Sequence, residues 1–402
     1  MIQTEKPIKL LTFSSLYPNE QTPHHGVFVE NRLRYLLKTG RVESKVIAPV
    51  PWFPLRWKVF GEYGQFAAVP KHEERHGVEI THPRYLVIPK IGMNWTPSSM
   101  VSAALPEFRK LIKDGYDFDL IDAHYFYPDG VAAIRIGKIL NKPVIITARG
   151  TDLNLIPQFS KPRKNIQWAA DHAQGMVTVC QALKDSLVSL GVAESRVEVR
   201  RNGVDLEMFT QPEDRDALRS SLGINGNTIL SVGHLIERKG HHLIIEAMKY
   251  LHDFNLLIAG QGPELNRLKE VASENDVEDR VRFLGAIPHQ QMKDYYGAAD
   301  ILVLASSREG WANVLLESMA CGTPVAATDI WGTPEVVAAP EAGVLIKHRN
   351  AKEIALSVQH LMSHYPERSA TRVYAELFSW DDTVQGLLNL FNKVVYSDTA
   401  TS

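Results

Sequence analysis

The sequence predicts an α/β protein built from two doubly wound domains in tandem, each with a mostly parallel sheet. Short apolar runs alternate with longer amphipathic stretches along nearly the whole 402-residue chain. Continuous apolar runs are typical of strands that helices cover on both faces. The alternation starts again after about residue 200, and a chain of this length exceeds one ordinary core.

The apolar runs divide into five predicted strands in each half of the chain, and amphipathic stretches follow most of them. In the first half the predicted strands are 9–13, 45–48, 120–123, 144–147 and 176–179, with helices over 27–37 and 130–140. In the second half they are 228–232, 256–259, 281–284, 301–304 and 325–327, with helices over 241–251, 290–298 and 314–320.

A turn-rich segment near 200–212 separates the two halves. We therefore expect one Rossmann-like domain over residues 1–202 and a second over 203–378. Apolar residues recur at helical spacing in 380–395, so a C-terminal helix is expected within 379–402. Whether that helix packs on the second domain or crosses back to the first stays open.

The composition is that of a globular protein, with 45% hydrophobic and 22% charged residues. No apolar run approaches the roughly 18 residues of a membrane-spanning helix, and the N-terminus lacks the apolar core of a secretory signal. Cys180 and Cys321 are too few for a disulfide framework or a four-cysteine zinc site, so we expect a cytoplasmic location.

The net charge of −2 conceals an asymmetry between the halves. Residues 1–200 contain 26 Lys and Arg against 19 Asp and Glu, a balance of +7, whereas the remainder contains 18 against 27, a balance of −9. A basic half favours an anionic surface or acceptor, and uneven surface composition without function is an equal alternative. Basic runs interleaved with aromatic residues are restricted to one segment, so no nucleic-acid partner is expected.

Ligands of open parallel sheets bind at the carboxyl ends of the strands, so the residues that follow each strand are the site candidates. Gly233 follows the strand 228–232, and Arg238 and Lys239 stand just before Gly240 and the next helix. Two cations beside a helix N-terminus suit a diphosphate, because the unpaired amides there also favour anions. A solvated charged loop is the alternative.

Two glutamates follow the strand 301–304, with Glu309 in a loop and Glu317 inside the next helix. The amides of Ala312, Asn313 and Val314 are expected at the start of that helix. Carboxylates accept paired hydrogen bonds from vicinal hydroxyls, so the pattern suits a ribose and a second sugar ring. An exposed acidic pair is the alternative.

Several ordered motifs together resemble the retaining GT-B glycosyltransferases of family 4 (glycosyl transferases group 1). They are the loop from Gly233 to Gly240, the Glu309 and Glu317 pair, Ala-Cys-Gly-Thr-Pro-Val at 320–325, Asn-Gly-Val-Asp at 202–205 and Ala-Gly-Gln-Gly-Pro at 259–263. The resemblance covers nearly the whole chain and is densest over 202–335. It implies two Rossmann-like domains that face a central cleft, with the acceptor on the first and the nucleotide-sugar donor on the second.

In the second domain the resemblance implies that Arg238 and Lys239 act in catalysis by neutralising the donor diphosphate. Glu309, also counted as catalytic, would hold the donor sugar near its 3-hydroxyl, and Glu317 would bind the ribose. Further donor-binding residues are implied at Gly233, Trp311, Ala312, Asn313, Val314 and Thr333. Residues 332–335 would supply amides to the donor phosphates, and the family commonly has a glycine where Trp331 stands, so the geometry of that contact stays open. The family often has Phe-Gly-Leu at 311–313, so the sugar preference stays open.

In the first domain the resemblance implies that Gly26, after the first strand, approaches the donor phosphate and that His124 is a catalytic contact of the donor sugar. A histidine bonded locally at the strand end is the alternative. Arg149 and Asp152 match the family's His-Gly-x-Asp loop, with Arg149 in place of the histidine. With His25 they are expected on the acceptor side. A structural role is the alternative for Asp152, and contact with the donor phosphate is the alternative for Arg149.

The implied reaction is retaining transfer of a sugar to a hydroxyl of a glycan or lipid-linked acceptor, in polysaccharide or glycolipid biosynthesis. A nucleotide-sugar epimerase of the same architecture and an inactive sugar-nucleotide-binding scaffold are the alternatives. No cofactor and no metal are expected. The DxD-like sequence at 117–119 precedes its strand, and 260–265 lacks the last glycine of a dinucleotide fingerprint.

Residues 51–60 combine aromatic and basic side chains without an acid, and 88–95 extend this character. Such segments favour peripheral contact with the anionic inner face of a membrane, with the rings at headgroup depth. Loops that pack their rings inward are the alternative.

Overall fold

The computed structural model describes residues 6–52, 62–87 and 92–396. The chain forms two compact units: the first contains the described residues up to Arg201 and those from Asp381 onward, and the second is Asn202–Trp380. Among the described residues, no helix combines the length and apolarity needed to cross a membrane. Most of the stretch predicted to contact a membrane, 53–60, and residues 88–91 lie outside the described residues.

Strands and helices alternate along the first unit. Its strands are β1 (Ile8–Phe13), β2 (Val42–Ile47), β3 (Val50–Trp52), β4 (His72–Arg75), β5 (Val78–Thr81), β6 (Arg84–Leu86), β7 (Leu120–His124), β8 (Val144–Ala148), β9 (Gly175–Thr178) and β10 (Val197–Val199). Its helices are α1 (Val27–Lys38), α2 (Glu62–Ala68), α3 (Thr96–Lys113), α4 (Val131–Leu140), α5 (Thr151–Asn154), α6 (Ser160–His172) and α7 (Gln181–Ser189).

Eight of these strands form one sheet in the order β10-β9-β8-β7-β1-β2-β5-β4. All neighbours are parallel except β4, which pairs antiparallel with β5 at the edge. Strands β3 and β6 form a separate parallel pair. The central strands β7 and β8 are buried along their whole length, as expected where helices cover both faces of a sheet.

The second unit repeats the alternation. Its strands are β11 (Asn227–Val232), β12 (Phe254–Ala259), β13 (Val281–Gly285), β14 (Ile301–Leu304), β15 (Val325–Thr328) and β16 (Gly343–Ile346). Its helices are α8 (Arg215–Ser221), α9 (His241–Ala247), α10 (Leu265–Glu274), α11 (Met292–Ala298), α12 (Asn313–Ala320), α13 (Thr333–Val336), α14 (Ala351–Ser363) and α15 (Arg368–Glu376). The six strands form a parallel sheet in the order β13-β12-β11-β14-β15-β16.

The last helix, α16 (Trp380–Tyr396), belongs from Asp381 onward to the first unit. Leu390 packs over Gly175 of β9, and the Thr383 hydroxyl donates a hydrogen bond to the carbonyl oxygen of Arg201. Of the two packings that the sequence leaves open, the structure has the return to the first unit. The predicted fold class, two Rossmann-like α/β domains with a C-terminal helix, is confirmed.

Candidate active site

The strand order of the second unit contains a switch point between β11 and β14. The chain runs from β11 to its neighbour β12 on one side, and β14 pairs with β11 on the other. Loops that leave a sheet at such a point diverge and form a crevice, where open α/β sheets bind ligands. Arg238 and Lys239 follow β11 and Glu309 follows β14, so the topology brings these three predicted residues together.

Lys239, Arg238 and Glu309 form one charged cluster. The Lys239 ammonium donates to Glu309 Oε1 at 2.6 Å, and Arg238 Nη1 lies 3.9 Å from Glu309 Oε2. Arg238 Nη1 also donates to the carbonyl oxygen of Arg308 at 2.7 Å, and the Ser306 hydroxyl donates to Glu309 Oε1 at 2.7 Å. Lysine has three N–H donors and arginine five, so both cations retain donors for an anionic ligand.

Glu309 is buried but ionised. Burial alone raises its pKa, but the charge and hydrogen bond of Lys239, together with the Ser306 hydroxyl, outweigh burial and hold the pKa of Glu309 below its ordinary value. A carboxylate in this state accepts hydrogen bonds and has no proton to donate. It is therefore suited to orienting hydroxyl groups and unsuited to general acid catalysis.

Gly240 permits the contact between the two loops. Its φ of 73° is in the left-handed region, and a Cβ at this position would lie 2.0 Å from the carbonyl oxygen of Ala305. The N–H of Ser307 donates to the carbonyl oxygen of Arg238 at 2.8 Å across the same contact. Gly233, a predicted donor-binding residue, faces the Lys239 side chain. A side chain at residue 240 would push Lys239 away from the Glu309 loop.

Glu317 lies in the second turn of α12, with 12% of its side chain exposed. Its Oε2 accepts a hydrogen bond from the Tyr296 hydroxyl at 2.8 Å, and its Oε1 accepts one from His289 Nε2 at 3.1 Å. Burial lowers the pKa of His289, but its hydrogen bond to Glu317 and the charges of Glu317 and Asp205 raise it above the ordinary value. Sequence reasoning identified Glu317 and missed both partners, which lie 28 and 21 positions away.

The start of α12 carries the other donor-binding residues predicted from this region. Asn313 is the first helical residue, and its Oδ1 accepts from the Asn202 side-chain amide at 3.2 Å. The Trp311 indole N–H donates to the carbonyl oxygen of Asn202 at 3.1 Å, so the buried ring packs within the unit. Ala312 is buried, whereas Val314 is half-buried. The contribution of this segment to a ligand would thus come from backbone amides.

The loop after β15 lies beside the charged cluster. The Thr328 hydroxyl donates to the carbonyl oxygen of Ser306 at 2.7 Å, which ties the end of β15 to the Glu309 loop. The hydroxyl of Thr333 is buried and has no hydrogen-bond partner among the described residues. Trp331 has a φ of 47°, a left-handed conformation that costs a non-glycine residue roughly 1–2 kcal/mol. Thr333 therefore offers an unused donor at the place predicted to bind phosphate.

The first unit has its own switch point, between β1 and β7. Gly26 begins α1 with a φ of 71°, and a Cβ there would lie 2.2 Å from the carbonyl oxygen of Leu16. The Ser14 hydroxyl, after β1, donates to the carbonyl oxygen of His124 at 3.3 Å. The sheet therefore brings the predicted residues Gly26 and His124 to neighbouring strand ends.

His124 is fully enclosed, and both of its ring nitrogens are engaged. Nε2 lies 3.1 Å from Asp122 Oδ2, and Nδ1 receives a short hydrogen bond from the Arg149 guanidinium. Because arginine can only donate, Nδ1 is the acceptor and Nε2 carries the proton donated to Asp122. Burial lowers the pKa of His124 to about 3, since the opposing charge of Asp122 is offset by Arg149. A ligand could reach either nitrogen only by breaking one of these contacts.

Asp122 was missed by sequence reasoning, although alternate residues of a strand share a face and it stands two positions before His124. Burial raises its pKa, but His124 and Arg32 outweigh burial and bring the pKa of Asp122 to about 2. Arg32 Nη2 lies 3.5 Å from Asp122 Oδ1, and both side chains are buried. The ionised Asp122 therefore orients the His124 ring through its hydrogen bond with Nε2.

The three residues predicted on the acceptor side lie in different environments. His25 is exposed in the loop before α1. Asp152 is buried, and its carboxylate accepts hydrogen bonds from the backbone N–H groups of Phe126 and Gly150, each at 2.7 Å, and of Arg149 at 3.1 Å. That arrangement favours the structural role for Asp152, because its oxygens already hold the loop that presents Arg149.

The DxD-like sequence at 117–119 lies before β7, as predicted. Asp119 Oδ2 accepts the backbone N–H of Lys9 at 2.7 Å, and Asp117 pairs with Lys142 at 2.7 Å. Both carboxylates are thus used at the amino end of the strand, opposite to the candidate site. Within the part of the chain that the structure describes, no group of three or more His, Cys, Asp or Glu is arranged to hold a metal ion.

Two Rossmann-like domains in one chain are the architecture of the GT-B class of fold, and solved structures of that class match the chain. A sucrose-phosphate synthase from Thermosynechococcus elongatus has a TM-score of 0.79 at 19% identity, over 97% of this chain and 100% of that chain. The Anabaena protein HepE in complex with UDP has a TM-score of 0.70 at 20% identity, over 96% and 100% of the respective chains.

Sequence comparison identifies the family. Residues 214–378 match Glycosyl transferases group 1, and residues 59–208 match Glycosyltransferase Family 4. A relative from Bacillus subtilis, a putative teichuronic acid biosynthesis glycosyltransferase, is 29% identical over 87% of this chain and 88% of its own length. A D-inositol 3-phosphate glycosyltransferase from Mycolicibacterium smegmatis is 31% identical over 57% of this chain and 55% of its own. The chain belongs to the group 1, family 4 glycosyltransferases, and it is a glycosyltransferase; these relatives lend no support to the epimerase alternative.

Proposed function

We propose that the protein transfers a sugar from a nucleotide-sugar donor to a hydroxyl of a glycan or lipid-linked acceptor, with retention of anomeric configuration and without a metal ion. The observation that carries the proposal is the Lys239, Arg238 and Glu309 cluster at the switch point of the second unit. The biosynthetic function named for the Bacillus relative and the UDP bound to HepE support this choice of donor and acceptor.

The two cations stabilise the leaving diphosphate. As the bond between the anomeric carbon and the phosphate oxygen breaks, negative charge grows on that oxygen, so preplaced N–H donors bind the transition state more strongly than the intact donor. Lys239 and Arg238 are held in advance by Glu309, which limits reorganisation during the reaction. With these two charges present, leaving-group stabilisation needs no metal ion.

Retention follows if the acceptor hydroxyl attacks from the face that the diphosphate leaves. The acceptor oxygen forms the new bond to the anomeric carbon, and its proton passes to the departing phosphate oxygen, which serves as the base. Glu309 then orients the donor sugar through its hydroxyls and does not act as a nucleophile, consistent with the hydrogen bonds that already occupy its Oε1.

A thermal-shift panel of UDP-, GDP- and ADP-sugars tests the donor site, because a ligand that binds the folded form raises its apparent stability. We expect one base to stabilise the wild type in the presence of EDTA as well as in its absence. Lys239→Ala and Glu317→Ala should each weaken binding on the order of 10- to 100-fold, as expected for lost hydrogen bonds to charged groups.

Lys269→Ala provides the matched control, because Lys269 is exposed on α10, away from the strand ends. Wild-type shifts in Lys239→Ala and Glu317→Ala would place the donor elsewhere. Loss of the shift in EDTA, restored by Mg²⁺, would contradict the metal-independent reaction.

We also propose that one face of the first unit contacts an anionic membrane. A groove of about 480 Å³ between α3, α4 and α6 is lined by Arg135, Lys138, Ile139 and Trp168 among others. An adjoining groove includes Leu86 and Trp95. Leu86, Met93, Trp95 and Ile139 are all exposed, Trp95 to 65%. Apolar side chains at headgroup depth beside basic groups suit an anionic bilayer surface.

The charge of this face supports an anionic partner. Arg135 and Lys138 lie over the Trp168 ring at 5.8 and 5.5 Å, and neither forms an ion pair with a carboxylate of the described chain. In co-sedimentation with vesicles, we expect binding to phosphatidylcholine containing phosphatidylglycerol and none to phosphatidylcholine alone. Each basic residue near a membrane surface contributes about 1 kcal/mol, so Arg135→Gln with Lys138→Gln should weaken binding on the order of 30-fold.

Trp95→Ala should weaken binding to the same vesicles further, and added salt should release the wild type. Exposed Lys269→Gln is the control for a general loss of positive charge. Equal binding by the wild type and the Arg135→Gln, Lys138→Gln, Trp95→Ala variant would refute the membrane contact.

A further inference from the structure

The carboxylate of Glu317 is held from both sides. Tyr296 on α11 donates its hydroxyl to Oε2 at 2.8 Å, and His289, in the turn before α11, lies with Nε2 3.1 Å from Oε1. One donor therefore contacts each oxygen. The carboxylate group cannot rotate about its terminal bond without losing both hydrogen bonds.

The two donors are themselves fixed by packing. Phe209, which is buried, contacts both rings edge to face, with its centroid 5.2 Å from that of His289 and 5.9 Å from that of Tyr296. The Tyr296 ring is fully buried, and the Thr323 hydroxyl donates to its backbone carbonyl at 2.6 Å. Neither donor is free to follow a carboxylate that moves.

This arrangement leaves acceptor capacity in a defined direction. Each carboxylate oxygen has two lone-pair sites, and the protein uses one on each oxygen. The remaining sites are available to a partner with two adjacent hydroxyl groups, one for each oxygen. Because the orientation of the Glu317 carboxylate is fixed before binding, binding of the partner causes little further loss of side-chain entropy.

We propose that His289 and Tyr296 are positioning residues that fix Glu317 to recognise both ribose hydroxyls of the donor, and that they thereby select ribonucleotide over deoxyribonucleotide donors. The inference rests on the proposed function and on the ribose contact that the family resemblance implies for Glu317. It adds two residues outside the predicted site and a specificity that depends on them.

The experiment measures the affinity of the full-length protein for UDP, GDP and ADP and for their 2′-deoxy counterparts by calorimetry. For the base that binds, we expect the wild type to prefer the ribonucleotide on the order of tenfold or more, as one lost hydrogen bond to a charged group predicts. Tyr296→Phe and His289→Leu should each bring this ratio towards one by weakening the ribonucleotide alone. His289→Gln retains an N–H donor and should recover part of the ratio.

Tyr295→Phe, which removes a hydroxyl one position away on α11, is the matched control and should keep the wild-type ratio. An unchanged ratio in Tyr296→Phe and His289→Leu overturns the inference. Equal weakening of both nucleotides, with lowered thermal stability, also overturns it, because that result marks a purely structural role. If Lys239→Ala still loses affinity for both nucleotides, the proposed donor site stands even then. A wild type that binds no nucleoside diphosphate overturns both the inference and the proposed function.

Discussion

Buried ionisable residues in the first unit respond to pH in opposite directions. Asp129, just before α4, is buried and accepts hydrogen bonds from the backbone N–H and the hydroxyl of Ser15. Burial raises the pKa of Asp129 to about 7, although the Ser15 hydrogen bonds oppose the shift. His124, in contrast, has a pKa lowered to about 3 by burial. The folded state therefore retains a proton on Asp129 and excludes one from His124.

The sign of each effect on stability follows from linkage. The raised pKa of Asp129 gives stability that is fully present below its ordinary pKa of 3.8 and is lost as pH rises towards 7. The lowered pKa of His124 gives stability that is present above its ordinary pKa of 6.5 and is lost as pH falls towards 3. Between about pH 4 and 6.5 the two contributions oppose each other.

We predict that Asp129→Asn reveals the pH dependence that His124 causes. As the pH falls from 6.5 to 4, the free energy of unfolding of this variant should fall relative to wild type by about 1.4 kcal/mol per pH unit. The reason is that the proton bound by folded Asp129 no longer offsets the proton that folded His124 excludes. His124→Gln should show the opposite trend over the same range. Urea denaturation at each pH measures both, with exposed Asp253→Asn as the control. Parallel curves for wild type and Asp129→Asn would show that Asp129 has an ordinary pKa.

Sequence reasoning found single residues where their position on a strand determines their neighbours. Lys239 and Glu309 follow adjacent strands of a parallel sheet. Because ligands of such sheets bind at the carboxyl ends of the strands, the position of each residue after its strand was sufficient to predict that both belong to the site. His289 and Tyr296 reach Glu317 because α11 packs beside α12 and both rings pack against Phe209. No local pattern in the sequence predicts that tertiary packing. The environment of His124 was also beyond the sequence, because Arg149 reaches it from another strand end.

At the level of elements, the buried central strands were the most predictable part of the fold. Each predicted strand of the second half appears as β11 to β15. In β11, β12, β14 and β15 the apolar runs were continuous because most of their residues are buried between covering helices, whereas β13 is a partly exposed edge strand. Strands β4 and β10, which the sequence did not reveal, are the two edges of the first sheet. Strand β4 has alternating exposed and half-buried residues, and β10 has three residues, so neither produces a strong apolar run.

Helix boundaries shifted where glycine or a change of helix type intervened. The predicted helix 241–251 is an α-helix only over His241–Ala247 and continues as a 3₁₀ turn over Met248–Tyr250. The charged loop before it is itself a 3₁₀ turn, Glu237–Lys239, which ends at Gly240 in the left-handed conformation. This turn orients Arg238 and Lys239 towards the end of β14, a detail set by the contact of Gly240 with Ala305.

At the scale of the whole molecule, the two units differ in whether they are formed by one continuous stretch of the chain or by two. The second unit is one continuous stretch, Asn202–Trp380, whereas the first also contains residues from Asp381 onward. In α16 the apolar face is buried at Val384, Leu387, Leu388, Leu390, Phe391 and Val394. Burying a large apolar side chain contributes about 1.5–3 kcal/mol, so losing this helix removes about as much as the net stability of a domain, roughly 5–15 kcal/mol.

We therefore predict that the fragment 202–380 unfolds cooperatively in urea, whereas the fragment 1–201 does not. Circular dichroism and the dispersion of amide NMR signals distinguish a packed fragment from a collapsed one. Joining residues 381–402 to the fragment 1–201 through a flexible Gly-Ser linker should restore the cooperative transition, because the linker only has to return the helix to β9. The same linker with Leu387→Asp and Phe391→Asp in the helix is the control and should fail to restore it. Cooperative unfolding of the fragment 1–201 alone would show that α16 is dispensable to the first unit, and its buried face would then require another explanation.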